Sequence, residues 1–258
     1  ATVSLDDLDV ERIEGDILDP EALERALAGV DMVYHLAGMI SISTGADPLV
    51  ALVNVQGTRN VVSACLRAGV RRLVYTSSIH AIQHAAKGVV MDECLPFDPN
   101  HALGEYDRSK ARASLAVLEA VERGLDAVIV CPTGVIGPHD YRLSEMGRLM
   151  LSSIRNPVQL ITSGAYDFVD VRDVAQGIIL AGDRGQAGEV YILSGEAITL
   201  KQLVQLTRRE TGKRGAVLHI PYPVVRLAAR VTPLLGRVTQ TRPLVTRYSL
   251  ETVVGNCQ

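Results

Sequence analysis

The sequence lacks the patterns that mark several function classes. Its four cysteines, Cys65, Cys94, Cys131 and Cys257, are scattered, with no Cys-x-x-Cys and no Cys/His spacing suited to a metal. Neither a disulfide framework nor a metal site is expected, and a reduced, cytoplasmic setting is. No apolar run reads as long enough to span a bilayer, and the N-terminus carries no signal-peptide pattern. Internal repeats and low-complexity segments are missing too. What is present is a 258-residue chain with 47% hydrophobic and 21% charged residues. That composition fits a soluble globular protein with a core large enough for one domain, or one domain and a small lobe.

Charge is uneven. From residue 201 onward ten Lys and Arg face Glu210 and Glu251, a balance of +8, so the first 200 residues carry −11 of the total of −3. The late cations stand singly among apolar residues, as in PVVRLAARVTPLLGRV. That spacing reads as an amphipathic helix with solvated arginines, contact with an anionic membrane surface being the alternative. Neither a nucleic-acid partner nor stable membrane insertion is expected.

Along the chain short apolar runs alternate with helical patterns. VERIEG (10–15), DMVYHLAG (31–38), RRLVYTSS (71–78) and LDAVIVCPTG (125–134) read as strands. PEALERALAGV, the long stretch 48–70 closed by Gly69, the stretch opened by GEYDRSK and VRDVAQGIILAG (171–182) read as helices. Buried strands alternating with helices predict an α/β fold, a doubly wound parallel sheet covered on both faces. Ligands in such sheets sit at the carboxyl ends of the strands, where HLAG, YTSS and CPTG fall. The pattern loosens after residue 141, which predicts a smaller interleaved lobe. The expected division is 1–140 plus about 166–184 for the sheet domain, with about 141–165 and 185–258 for a substrate-binding lobe.

Tyr106 and Lys110 stand four apart at the front of a helical stretch, a spacing that shares one face. With eight tyrosines and four lysines, chance alone gives about 0.12 such pairs, so the motif is weak by itself. Its company strengthens it, because YTSS lies about 30 residues upstream at a predicted strand end. A phenol normally ionises near pH 10, and a neighbouring ammonium favours the phenolate. The pair is therefore expected to work as a proton donor and acceptor. Asp16 also reads as a possible helix cap, Asn54 as a satisfied helix-interior group, and His35 as a residue pointing into the sheet packing. His80 reads as either substrate-facing or a loop residue, and the arginines of RAGVRR as helix-end groups facing water.

These segments, in this order, resemble an extended short-chain dehydrogenase/reductase of the NAD-dependent epimerase/dehydratase superfamily, closest to dihydroflavonol-4-reductase-like and 3β-hydroxysteroid-dehydrogenase-like members. The resemblance covers nearly the whole chain and implies a Rossmann-type domain that binds NAD or NADP. It places Asp16 and Ile17 of EGDILD at the adenine end, and Leu36, Ala37 and Gly38 of HLAG along the cofactor. Thr76 of YTSS, and Pro132, Thr133 and Val135 of CPTGVIGP, join them as cofactor-binding residues, with Lys110 holding the nicotinamide ribose. It implies a catalytic set of Tyr106, Lys110, Ser78 and Asn54, in which Ser78 hydrogen-bonds the substrate oxygen and Asn54 anchors a helix or a relay water. Pairing of helices 48–69 and 105–123 into a homodimer is implied as well.

The chain departs from that family at two points. It opens ATVSLDDLDVERIEGD, without the first strand and TGxxGxxG loop that cradle a pyrophosphate, and this segment is expected to lie outside the sequence in hand. Its end, SLETVVGNCQ, also reads as stopping short. Where nucleotide-sugar members place an Arg, this chain has Tyr166. That favours a carbonyl or hydroxyl substrate without a nucleotide tail, and the apolar stretch 216–235 would suit a pocket lid. The expected function is an NAD(P)-dependent oxidoreductase acting on a carbonyl or secondary alcohol. A nucleotide-sugar epimerase or dehydratase with tightly held NAD is the alternative, and a non-enzymatic cofactor-sensing scaffold a third reading.

Overall fold

Asp19 starts the first regular element. Its carboxylate accepts from the N–H groups of Glu21 and Ala22, Pro20 supplies the fixed φ of a first helical turn, and α1 runs Pro20–Leu27. The computed structural model describes residues 5–6, 8–41, 45–85, 89–101 and 104–227. After α1 come β1 (Met32–His35), α2 (Pro48–Ala51), a π-helical turn (Leu52–Gly57), α3 (Thr58–Ala68), β2 (Arg72–Thr76), a 3-10 turn (Ile79–Ala81) and α4 (Glu105–Glu122). Then follow β3 (Ala127–Pro132), β4 (Gly134–Ile136), α5 (Glu145–Arg155), β5 (Val158–Ile161), β6 (Ala165–Asp170), α6 (Val171–Arg184), β7 (Val190–Leu193), β8 (Glu196–Thr199), α7 (Leu200–Glu210) and β9 (Ala216–His219).

The elements form two compact units. Of the described residues, one takes those up to 41, those within 45–133, and 171–193; the other takes 134–170 and 194–227. In the first, β1, β2, β3 and β7 lie side by side in that order, all parallel. Parallel neighbours need crossovers, and α3, α4 and α6 supply them. All six residues of β3 are buried, as a strand covered on both faces requires. Leu73, Tyr75, Ile129 and Cys131 share one face with Val61, Val62 and Cys65 of α3 and Ala113, Val117 and Ala120 of α4. The small side chains of α4 let it lie close on the sheet. Helix α6 packs on β2, β3 and β7, where the alternation of side chains turns Val74, Val128 and Val130 the other way. Gly69, at φ 67°, ends α3 in the left-handed conformation that suits glycine.

The second unit holds a sheet of order β4-β6-β8, parallel then antiparallel, and the parallel pair β5-β9. A capping box between Thr199 and Gln202 opens α7, which packs on α5.

Four expectations change. Residues 10–15 form no strand, because Val10 and Ile13 are 52% and 55% exposed and no described strand pairs with them. The return to the second unit comes at 194 rather than 185, since β7 is the fourth strand of the parallel sheet. Arg72 does not face water: at 13% side-chain exposure it binds Asp126 at 2.8 Å and donates to the Gly182 carbonyl at 2.9 Å, tying β2 to α6. Finally, the 21-residue stretch Pro48–Ala68 holds an 18-residue window of mean hydropathy 1.2 and is long and apolar enough to cross a membrane by length and composition. Here Val50, Val61, Val62, Ala64 and Cys65 on its length are buried, and it serves as a core helix.

Leu73→Ala is expected to lower the unfolding free energy by about 2–5 kcal/mol, because fully buried Leu73 leaves a cavity between α3 and α4. Urea unfolding followed by circular dichroism checks this; a change under about 1 kcal/mol would contradict the packing described.

Candidate active site at the carboxyl edge of the sheet

Parallel pairing of β1 with β2 brings out Leu36-Ala37-Gly38 and Ser77-Ser78 at the same edge of the sheet. The joint that organises this edge is Asn54, 2% exposed, in the π-helical turn. Its Oδ1 accepts from Met39 N–H at 2.7 Å. Its Nδ2 donates to the Met39 carbonyl and to Ser109 Oγ, both at 2.9 Å. Ser109 Oγ in turn donates to the Tyr106 carbonyl at 2.8 Å. A single π turn widens a helix locally and recurs at functional sites; this one sets the amide between two other segments. A Cβ on Gly38 would lie 3.2 Å from Asn54 Oδ1 and 3.5 Å from Lys110 Nζ, so these three residues surround one spot.

Lys110 Nζ donates to the Thr76 carbonyl at 2.7 Å and stands 5.1 Å from the centre of the Tyr75 ring. Burial pushes its ammonium down to about 8, with Cys131 acting weakly the other way. Burial is also the main influence on Tyr106, which is pushed up to about 12. A hydrogen bond with the Ser78 side chain opposes this rise, while the charges of Asp107 and Cys131 add to it. The expectation that Lys110 draws the Tyr106 pKa down is therefore corrected. The ammonium is turned to the Thr76 carbonyl, and desolvation governs both groups. Ser77 and Ser78 diverge: Ser77 Oγ bonds Ser114 Oγ at 2.7 Å inside α4, leaving Ser78 as the serine that meets Tyr106.

Histidines back this edge. His35 Nε2 bonds Thr58 Oγ1 at 2.9 Å, and burial, then Lys110, push it down to about 4. His80 is buried with its ring 6.5 Å from that of Tyr106 and is pushed down to about 4, chiefly by burial. Beside Tyr106 the fully buried Asp107 meets His101 Nδ1 at 3.2 Å, and the His101 ring lies 4.4 Å from that of His84. Arg108 adds bonds to Glu105, the His101 carbonyl and the Gly45 carbonyl. Sequence reasoning missed Asp107, His101 and Ser109. Asp107 and Ser109 sit as spacers inside YDRSK, and no spacing rule links them to partners tens of residues away.

The other expected positions are more dispersed. Asp16 is exposed and accepts from Leu18 N–H at 2.9 Å in a local turn; the helix cap is Asp19. The Ile17 side chain fills the space over Gly57, and its carbonyl accepts from Asn60 at 3.0 Å. Leu36 is 58% exposed. Pro132 ends β3, and Thr133 N–H donates to the Leu193 carbonyl at 3.1 Å. Val135 lies on β4 in the second unit. The set the structure brings together is Gly38, Asn54, Thr76, Ser78, Tyr106 and Lys110.

The depressed Lys110 makes stability pH-dependent. Between pH 8 and 10 the unfolded chain, with Lys near 10.5, holds a proton that the folded chain releases, so folding becomes more favourable as pH rises. Urea midpoints are expected to contain this rise in the wild type and to lose it in Lys110→Met; identical pH profiles would contradict it.

Comparison with known proteins bears on the family of the chain. Residues 3–189 match the model of the 3-beta hydroxysteroid dehydrogenase/isomerase family. Sterol demethylase protein B of Methylococcus capsulatus is 39% identical over 220 residues, 84% of this chain and 66% of that protein. The 2-alkyl-3-oxoalkanoate reductase of Stenotrophomonas maltophilia is 30% identical over 257 residues, covering 94% of this chain and 76% of that protein. The crystal structure of gox2253 superposes with a TM-score of 0.81 at 31% identity, over 99% of this chain and 79% of that one. This chain thus spans 66% and 76% of the length of the two curated relatives.

Proposed function

The chain belongs to the 3-beta hydroxysteroid dehydrogenase/isomerase family, an NAD(P)-dependent group with the extended short-chain dehydrogenase/reductase fold, and on that premise we propose that it moves a hydride between nicotinamide and a carbonyl or secondary alcohol. The observation that carries the reading is the buried contact of Ser78 with Tyr106, one helical turn from Lys110.

The residues at this edge fit a nicotinamide nucleotide. Thr76 Oγ1 is buried with no hydrogen-bond partner among the described residues, and Gly38 leaves open a spot that any Cβ would take up. Gly38, Thr76 and Lys110 would hold the nicotinamide half, with Leu36, Ala37, Pro132, Thr133 and Val135 proposed along it and Asp16 and Ile17 toward the adenine. The bound cofactor supplies or accepts the hydride.

The chain's own residues handle the proton and the oxygen. With its pKa pushed up to about 12, Tyr106 holds its proton at neutral pH and stands as the acid. In reduction it passes the phenolic proton to the carbonyl oxygen and is left as a phenolate, which takes a proton from solvent before the next turnover. Oxidation runs the same steps in reverse, the phenol first losing its proton to solvent. Ser78 donates a hydrogen bond to the same oxygen as charge develops there. Asn54 acts by holding Met39 and the first turn of α4 in place.

A carbonyl substrate without a nucleotide tail is supported by Tyr166, which packs on Phe168 with ring centres 5.5 Å apart and closes the space over Gly134. The relative named 2-alkyl-3-oxoalkanoate reductase supports the same choice. A nucleotide-sugar epimerase or dehydratase would use the same Ser/Tyr/Lys set and is the competing outcome of the assay. The free thiols of Cys65, Cys94 and Cys131 support a reduced, cytoplasmic setting, while Cys257 lies outside the described residues. The proposed homodimer is supported by Leu49 and Leu52, 53% and 47% exposed on the 48–69 stretch. Residues 228–235 of the 216–235 lid segment lie outside the described residues.

Carbonyl compounds are screened with NADH and NADPH by nicotinamide absorbance. Tyr106→Phe is expected to lower turnover about 10²–10⁴-fold with the unfolding transition unchanged. Near-normal turnover in that variant would sink the assignment. Activity confined to a UDP- or dTDP-sugar, with NAD copurifying, would favour the competing reading.

A further inference from the structure

Away from the sheet edge, the second unit carries a cavity of about 430 Å³ lined by Lys201, Gln205, Arg208, Arg209, Lys213 and Arg214, with Gly215 and Val217. We infer that this cavity is a binding site for a compact polyanion, a small molecule bearing a diphosphate or clustered phosphates. The inference rests on the second unit alone and is independent of the reductase reading.

The site is built rather than incidental. Lys201, Gln205, Arg208 and Arg209 follow one another at four, three and one residues along α7, which aligns them on one face. At Gly212, with φ +66°, the chain leaves the helix in a left-handed turn, and Lys213 N–H donates back to the Arg208 carbonyl at 2.9 Å. After that turn Lys213 and Arg214 line the same cavity as α7. Gly215 holds the return in place: a Cβ there would meet the Pro157 carbonyl and the Arg208 guanidinium. Arg208 itself is 5% exposed and spends its donors on the carbonyls of Ser153 (2.9 Å), Asn156 (3.0 Å) and Ala216 (3.2 Å). It is the buried member of the lining, and its charge adds to the field of the exposed Lys201, Lys213 and Arg214.

The charge balance names the ligand class. Among the described residues no carboxylate lines the cavity, and the acid beside it, Glu210, stands 3.4 Å from Arg209. Cations in the last turn of a helix complement its dipole, which accounts for Arg208 and Arg209. It does not account for Lys201, which sits in the first turn, where a cation is disfavoured and where α7 has no acid. Lys201, Lys213 and Arg214 share one concavity with no carboxylate partner among the described residues, and they repel one another at a cost that a multiply charged anion would reverse. The volume lies in the range of small-molecule sites and exceeds the need of a single inorganic ion. Gln205 adds an amide for a neutral oxygen.

The test is calorimetric titration of the whole protein with inorganic pyrophosphate at low salt, set beside Lys213→Ala/Arg214→Ala. The inference expects one-to-one binding that weakens as salt rises, a loss of about tenfold or more in the double variant, and nicotinamide-dependent turnover and unfolding left unchanged. Absence of binding, or equal affinity in both proteins, would overturn it. Cosedimentation with phosphatidylcholine vesicles containing phosphatidic acid distinguishes the source. Pyrophosphate binding without vesicle binding supports a free phosphorylated ligand, and binding of both, each lost in the double variant, supports a lipid headgroup. Vesicle binding without pyrophosphate binding would overturn the cavity as the site.

Discussion

Asn54 holds three parts of the chain with one amide. Its three hydrogen bonds reach Met39, just past the end of β1, and Ser109, in the first turns of α4, 55 residues away in sequence. At this depth each unmade bond would cost about 1–3 kcal/mol, so the amide is fully committed or the edge comes apart. Everything at that edge follows from the joint. Gly38 lies against Asn54 Oδ1, Lys110 closes on the same spot, and Ser109 passes the constraint to the backbone of Tyr106. The π turn supplies the extra width that lets a helical side chain reach both neighbours at once.

Around that joint, desolvation outweighs charge. Tyr106 and Lys110 share a helical face, yet the first is pushed up to about 12 and the second down to about 8, each mainly by burial. Both are thereby driven toward their neutral forms. A neutral phenol hydrogen-bonded to Ser78 suits delivery of a proton to a carbonyl oxygen, and the Asp107–His101 contact at 3.2 Å fixes the turn that presents it. An ammonium held on the Thr76 carbonyl keeps a cation at the edge without exposing it to water.

Much of this was legible in the sequence, and the rest was not, for physical reasons. The run AVIVCP reads as a strand buried on both faces and is one; Gly69 reads as a helix stop and adopts the left-handed φ that makes it so. These features are local, and local sequence carries them. VERIEG also reads as a short strand but has no described strand to pair with, and a ladder is not a local property. The chain's return to its second unit was misplaced because VYIL is a four-residue strand whose membership is decided by β3, 60 residues upstream. The site divides the same way. Tyr106, Lys110 and Ser78 are visible through spacing and order, whereas the partners of Asp107 and Asn54, and the direction Lys110 takes, depend on contacts between distant segments. No pattern of residues signals the π turn.

The central claim is that this edge moves a hydride to a carbonyl carbon while Tyr106 supplies the proton. Mass spectrometry of alcohols formed from a panel of ketones and aldehydes, with reduced cofactor carrying deuterium at both C4 positions of the nicotinamide, tests the transfer directly. The account predicts one deuterium on the new carbinol carbon, at the rate at which cofactor is consumed. Cofactor that keeps both deuteriums with every carbonyl tested, or an alcohol whose new carbon-bound hydrogen comes from solvent, would contradict it.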